Sequence, residues 1–191
     1  MVTSTPESIN SMQGYGFPIV KVGSAIPGVH SVSASHLQGT SLTTSHLIDL
    51  GHQDIAYIGY GINRSLKESV LVDAARERFK GFCSAMETAN LPVKYTEVTL
   101  EESYPEDGAE SFNMLWKQSK GSITAVVCYN DTLAMGVIQA AHQLGLEVPK
   151  DLSVVGFEAV SEHYNFAPFI TSVGYDRALM GRRAVKILMR H

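Results

Sequence analysis

The chain has 191 residues, 45% hydrophobic and 18% charged, an ordinary globular composition with material for one substantial core or two small lobes. Its formal net charge is -4 and no Lys/Arg cluster stands out, which excludes the basic face that neutralises nucleic-acid phosphates; Arg182, Arg183, Lys186 and Arg190 fit a solvated helix face. No apolar run approaches the roughly 20 residues needed to cross a bilayer, and Met1–Asn10 is polar, without the apolar stretch of a secretory signal, so a cytoplasmic protein with no membrane partner is expected.

Along the chain, strand and helix patterns alternate, the signature of an α/β fold with a largely parallel sheet. Pro18–Gly23 reads as a short strand, and Gly39–Leu50 as a helix stopped by Gly51. Ile55–Gly59 (IAYIG) is an apolar strand, followed by a polar loop over Tyr60–Leu71. A helix is expected over Val72–Ala89, with Phe79, Phe82, Cys83 and Met86 at the i, i+3, i+4, i+7 spacing of one face. Asn90 suits a left-handed residue beyond the helix end, and Pro92 follows it. Tyr95–Leu100 alternates as a strand, and Pro105–Trp116 is helical with proline in its first turn. Ala125–Tyr129 (AVVCY) and Leu152–Phe157 (LSVVGF) are buried strands on either side of a helix over Asp131–Leu144 that ends at Gly145. A strand over Ile170–Tyr175 and a helix over Arg177–Met189 complete the pattern. Cys83 and Cys128 fall in a helix and a strand pattern, which fits buried free thiols.

In open α/β sheets, ligands sit outside the carboxyl ends of the strands. Asn130 follows AVVCY, Glu158 follows LSVVGF, and Arg78 lies in the helix reached from IAYIG. An amide, a carboxylate and a guanidinium suit a neutral polyhydroxylated ligand, because each hydroxyl both donates and accepts and a planar fork spans two of them. Tyr104 could cover the apolar face of a sugar ring. Plain structural roles stand beside each assignment: Asn130 or Asp131 as a helix cap, Arg78 as half of a surface pair on its own helix, Glu158 as a loop carboxylate, and Tyr104 and Trp116 as packing aromatics.

Catalytic signatures are missing. The chain has no G-x-S-x-G elbow and no phosphate-binding P-loop. Gly59-Tyr60-Gly61 follows a strand, but Arg64 stands where a dinucleotide fingerprint needs glycine. His46 and His52 straddle a helix end without metal-ligand spacing. No cofactor, no metal and no enzymatic activity are expected.

The ordered segments HLIDLGHQDIAYIG (46–59), ARERFKGFCSAM (75–86), YNDTLAMGVIQAAHQLGLEVPKDLSVVGFE (129–158) and TSVGYDRALMGRRAVKIL (171–188) resemble the effector-binding core of LacI/GalR-type bacterial transcriptional regulators, from about Pro18 to the end. The resemblance implies a type I periplasmic-binding-protein-like fold: parallel sheets flanked by helices, in two lobes with a small-molecule cleft. It implies an effector, a sugar or sugar derivative, and a homodimer. It implies contact with operator DNA only through a helix-turn-helix head that this chain lacks. Arg78 stands in the family's R-x-x-G motif and Asn130 in its N-D pair. Glu158-Ala159 replaces the usual Asp-Asp or Asp-Asn. Gln38 lies near a position that often holds an acid, as does Ser35.

The resemblance also implies an incomplete N-terminal lobe and a fragment of a longer protein. The expected division is 1–52 as the remnant of the N-terminal lobe, 53–169 as the C-terminal lobe and 170–191 as a crossover returning to the first. Two other functions share the fold: a solute-binding protein of a sugar transporter, and an α/β enzyme acting on a sugar or nucleotide.

Overall fold

The computed structural model describes residues 11–12, 16, 18–23, 25, 28–60, 70–98, 104–159 and 170–190, with backbone only at 70–72, 97 and 98. The expected polar loop therefore lies outside the described residues from 61 to 69, as do Met1–Asn10 and the end of the strand expected to reach Leu100.

Among the described residues, two parallel sheets form. The smaller pairs β1 (Val20–Val22) with β2 (His30–Val32). The larger has five strands: β3 (Ile55–Tyr60), β4 (Lys94–Val98), β5 (Ala125–Cys128), β6 (Ser153–Phe157) and β7 (Thr171–Val173). They are ordered β4-β3-β5-β6-β7, all parallel. Strands β3 and β5 are wholly buried apart from half-buried Tyr60, which explains their unbroken apolar sequence. The short strand β2 had no visible sequence signal, because only Val32 of its three residues is buried.

Among the described residues, five helices flank the sheets: α1 (His36–Asp49), α2 (Val70–Thr88), α3 (Pro105–Gln118), α4 (Asp131–Gln143) and α5 (Arg177–Leu188). Side-chain parity assigns their faces. Tyr57 of β3 stacks on Phe79 and Phe82 of α2, so the odd-numbered face lies under α1 and α2. Gly156 of β6 meets Asp131 at the start of α4, so the even-numbered face lies under α3 and α4. The expected helix stops are present: Asn90 has φ 56° and Gly145 φ 80°.

The expected split at residues 52 and 170 followed chain order, and the packing departs from it. Helix α1, placed with the first lobe, packs on α2 and against β6 and β7. Strand β7, placed in the returning crossover, is the edge strand of the large sheet. Among the described residues, α5 returns to the small sheet, packing on β1 and β2. Segments 33–35 and 174–176 thus link the two sheets.

Candidate functional site

The order of the large sheet reverses between β3 and β5: the chain moves outward to β4, then returns to build β5, β6 and β7 on the other side. Such a reversal opens a crevice beyond the carboxyl ends, because the flanking connections leave to opposite faces. Arg78 lies beside this crevice.

The guanidinium of Arg78 is almost out of solvent, with the residue 2% exposed. Its position follows from α2, whose next residues, Phe79 and the more distant Phe82, seat the helix on Tyr57. Three acceptors from three elements answer its donors. Nε donates to His36 Nδ1 (3.2 Å) in the first turn of α1, Nη1 to the Tyr129 carbonyl after β5, and Nη2 to Glu158 Oε1 (3.1 Å) after β6. The guanidinium carbon lies 4.2 Å from the Tyr129 ring centroid and 3.9 Å from that of Phe157. Stacking of this kind favours arginine, whose flat, weakly hydrated cation tolerates removal from water. The surface role on its own helix is therefore not the one Arg78 plays: Lys80, not Arg78, pairs with Glu77.

His36 is half-buried, with its ring 5.8 Å from Phe157. Burial and the neighbouring Arg78 charge hold its pKa down to about 4, against a smaller opposing pull from Glu77. It is therefore neutral at physiological pH, the form whose Nδ1 can accept from Arg78.

Asn130 caps α4, its Oδ1 accepting from Leu133 N (3.0 Å). The adjacent Asp131 is 2% exposed, and its Oδ1 accepts from Ser172 Oγ (2.6 Å). Ser172 Oγ in turn accepts from Ala159 N (3.0 Å). This chain of bonds fastens the turn that presents Glu158. The turn holds two successive non-glycine residues in left-handed backbone, Glu158 at φ 100° and Ala159 at φ 51°. Strain of this type persists only where the surroundings enforce it, commonly beside ligand sites. Val173 O accepts from Glu158 N (2.8 Å), and Arg177 Nη2 donates to Glu158 O (3.2 Å).

Of the five residues expected at the site, the structure brings Arg78 and Glu158 into contact and sets Asn130 next to the carbonyl that Arg78 grips. Gln38 is exposed on the first turn of α1. Tyr104 is 49% exposed and precedes α3, its backbone N donating to Asp107 Oδ2 (3.0 Å). Trp116 packs against Phe112 in the core. His36, Tyr129, Phe157, Ser172 and Arg177 had no spacing signal, because each meets Arg78 or the Glu158 turn only through tertiary packing. Among the described residues, no group of three His, Cys, Asp or Glu could hold a metal, and no helix is long and apolar enough to cross a membrane.

Residues 44–191 match the family model of the periplasmic binding protein-like domain. An HTH-type transcriptional repressor PurR from Actinobacillus pleuropneumoniae serotype 3 is 32% identical over 187 residues, 97% of this chain and 53% of that protein. The chain thus spans about half the length of the curated relatives it matches. A LacI family regulator from Enterococcus faecium, solved with bound ribose, superposes with a TM-score of 0.76 at 21% identity, covering 97% of this chain and 66% of that one. A LacI-family regulator from Corynebacterium glutamicum gives 0.75 at 28% identity, covering 89% of this chain and 62% of that one. The chain belongs to the family of periplasmic binding protein-like domains.

Proposed function

We propose that this domain senses a small neutral polar molecule, a sugar or sugar derivative, and passes its presence to a transcriptional regulator without catalysis. The observation that carries the reading is Arg78. A guanidinium buried between two rings and fixed from three elements is held ready to recognise a ligand. Its second N–H on each of Nη1 and Nη2 meets no acceptor among the described residues, so each can serve the effector. Glu158, with its side chain 30% exposed, offers a carboxylate edge to hydroxyl donors.

The same cluster touches both segments that link the sheets. His36 directly follows 33–35, and Arg177 directly follows 174–176. An effector that prefers one arrangement of Arg78 and Glu158 therefore biases the two linkers together, which is the differential affinity a population shift requires. In this reading the regulator is a cytoplasmic homodimer that meets operator DNA through residues outside this chain. The bound ribose of the Enterococcus faecium neighbour supports a monosaccharide as the first class to try.

Thermal-shift measurements with D-ribose, D-galactose and D-glucose test the proposal. A saturable rise in Tm with at least one sugar, lost in Arg78→Ala and reduced in Glu158→Ala, is expected. A sugar response that survives Arg78→Ala would overturn the site, and turnover of the bound sugar would make the protein an enzyme.

A further inference from the structure

Tyr57 stands mid-way along β3, 1% exposed, its ring packed on Phe79 and Phe82 at centroid distances of 5.4 and 5.3 Å. Packing accounts for the ring but not for the hydroxyl, because phenylalanine would fill the same space. The Tyr57 Oη is buried and has no hydrogen-bond partner among the described residues. An orphaned hydroxyl weakens the fold, so its presence calls for another explanation.

Geometry supplies one. The ring lies along β3 over Gly59: a Cβ at Gly59 would stand 2.4 Å from Tyr57 Cε1 and 2.8 Å from Oη. The glycine thus leaves room for the phenol to reach beyond its own level. Ile58 is opposite Cys128 in the β3–β5 register, which sets Gly59 level with Tyr129. The hydroxyl is therefore carried from mid-strand to the carboxyl edge of β3, on the face where Arg78 lies against Tyr129.

We infer that the Tyr57 hydroxyl is a further effector-binding group, at the base of the β3–β5 crevice, hydrogen-bonding a hydroxyl-sized polar group of the ligand and unsatisfied until the ligand arrives. The inference rests on the effector-sensing reading and adds a residue to it. A phenol both donates and accepts, which matches a sugar hydroxyl and gives no preference to an anion. Function here opposes stability, as is common where a site keeps a polar group unpaired.

Tyr57→Phe in the 191-residue chain tests this by thermal unfolding and by calorimetry with whichever of D-ribose, D-galactose and D-glucose stabilises the wild type most. The expected result is a Tm equal to or above the wild type without sugar, and sugar binding weakened about 10-fold or more. A Tm lowered by several degrees means the hydroxyl is satisfied within the fold and overturns the inference. Unchanged affinity in Tyr57→Phe, with binding lost in Arg78→Ala, overturns it while leaving the effector reading intact. No response to any of the three sugars in the wild type counts against both. In crystals of the wild type with the sugar, a ligand oxygen bonded to Oη supports it; a water on Oη present equally with and without sugar overturns it.

Discussion

A guanidinium removed from water needs its charge and its donors answered together, and Arg78 meets both needs locally. Its ion pair with Glu158 is intermediate in character, with side-chain exposures of 3% and 30%. Breaking a fully buried pair costs about 3–5 kcal/mol, whereas an exposed pair contributes about 0–1. Glu158→Ala should therefore destabilise by roughly 1–3 kcal/mol, measured by chemical denaturation; a cost under about 0.5 kcal/mol would place Glu158 among ordinary surface carboxylates. His36 adds a pH dependence. Its folded pKa of about 4 lies below the ordinary 6.5, so the folded state favours the neutral ring. The associated stability is complete above pH 6.5 and declines as pH falls from there toward 4. His52 acts in the same direction, its pKa lowered by burial where it bridges Thr124 and Ser153. NMR titration of His36 should give a midpoint near 4 that rises in Arg78→Ala; an ordinary midpoint unaffected by that change would remove His36 from the cluster. The residue types at positions 78, 130 and 158 were legible from their places after apolar strands. Their partners were not: nothing in the local sequence around His36 points to a residue 42 positions away.

At the scale of elements, the site depends on how α1 settles on the large sheet. Gly39 faces Phe157 so closely that a Cβ there would lie 2.6 Å from the ring. That ring is also a stacking surface for Arg78. Gly39→Ala must therefore move either α1 or Phe157, and overpacking of this kind costs about 1–3 kcal/mol. Lowered stability together with weaker sugar binding is expected from calorimetry; retained affinity would separate α1 from the site. The turn after β6 is held by the Asp131–Ser172–Ala159 bonds against its left-handed backbone. Ser172→Ala removes both bonds, one of them to a charged carboxylate, at a cost of roughly 1–3 kcal/mol. A near-neutral Tm for Ser172→Ala would show that the turn is held by other contacts. Apolar runs, proline and glycine stops marked every described strand but β2 and all five described helices in the sequence. The lobe to which each element belongs was not marked. Helix α1 precedes the strand it flanks, and its mixed polar face, burying Thr40, Thr43 and Thr44 beside Leu47, carries little hydrophobic contrast.

For the whole molecule, residues beside both segments that link the small and large sheets meet one cluster. Arg78 reaches His36 beside one linker, and Glu158 reaches Arg177 beside the other. In the proposed reading, a ligand held by Arg78 and Glu158 acts on both linkers at once, which gives a small molecule leverage over the relation between the sheets. The family resemblance was visible in the ordered motifs, and the parallel sheet order conforms to it. The effector was not visible, because specificity lies in which donors and acceptors face the crevice, not in the motifs that build it. A crystal structure of the domain with its most stabilising sugar tests the central claim most directly. The account predicts a sugar oxygen within about 3.2 Å of an Arg78 Nη atom or a Glu158 carboxylate oxygen, at the carboxyl edges of β3, β5 and β6. A sugar bound elsewhere, with the Arg78–Glu158 pair untouched, would contradict it.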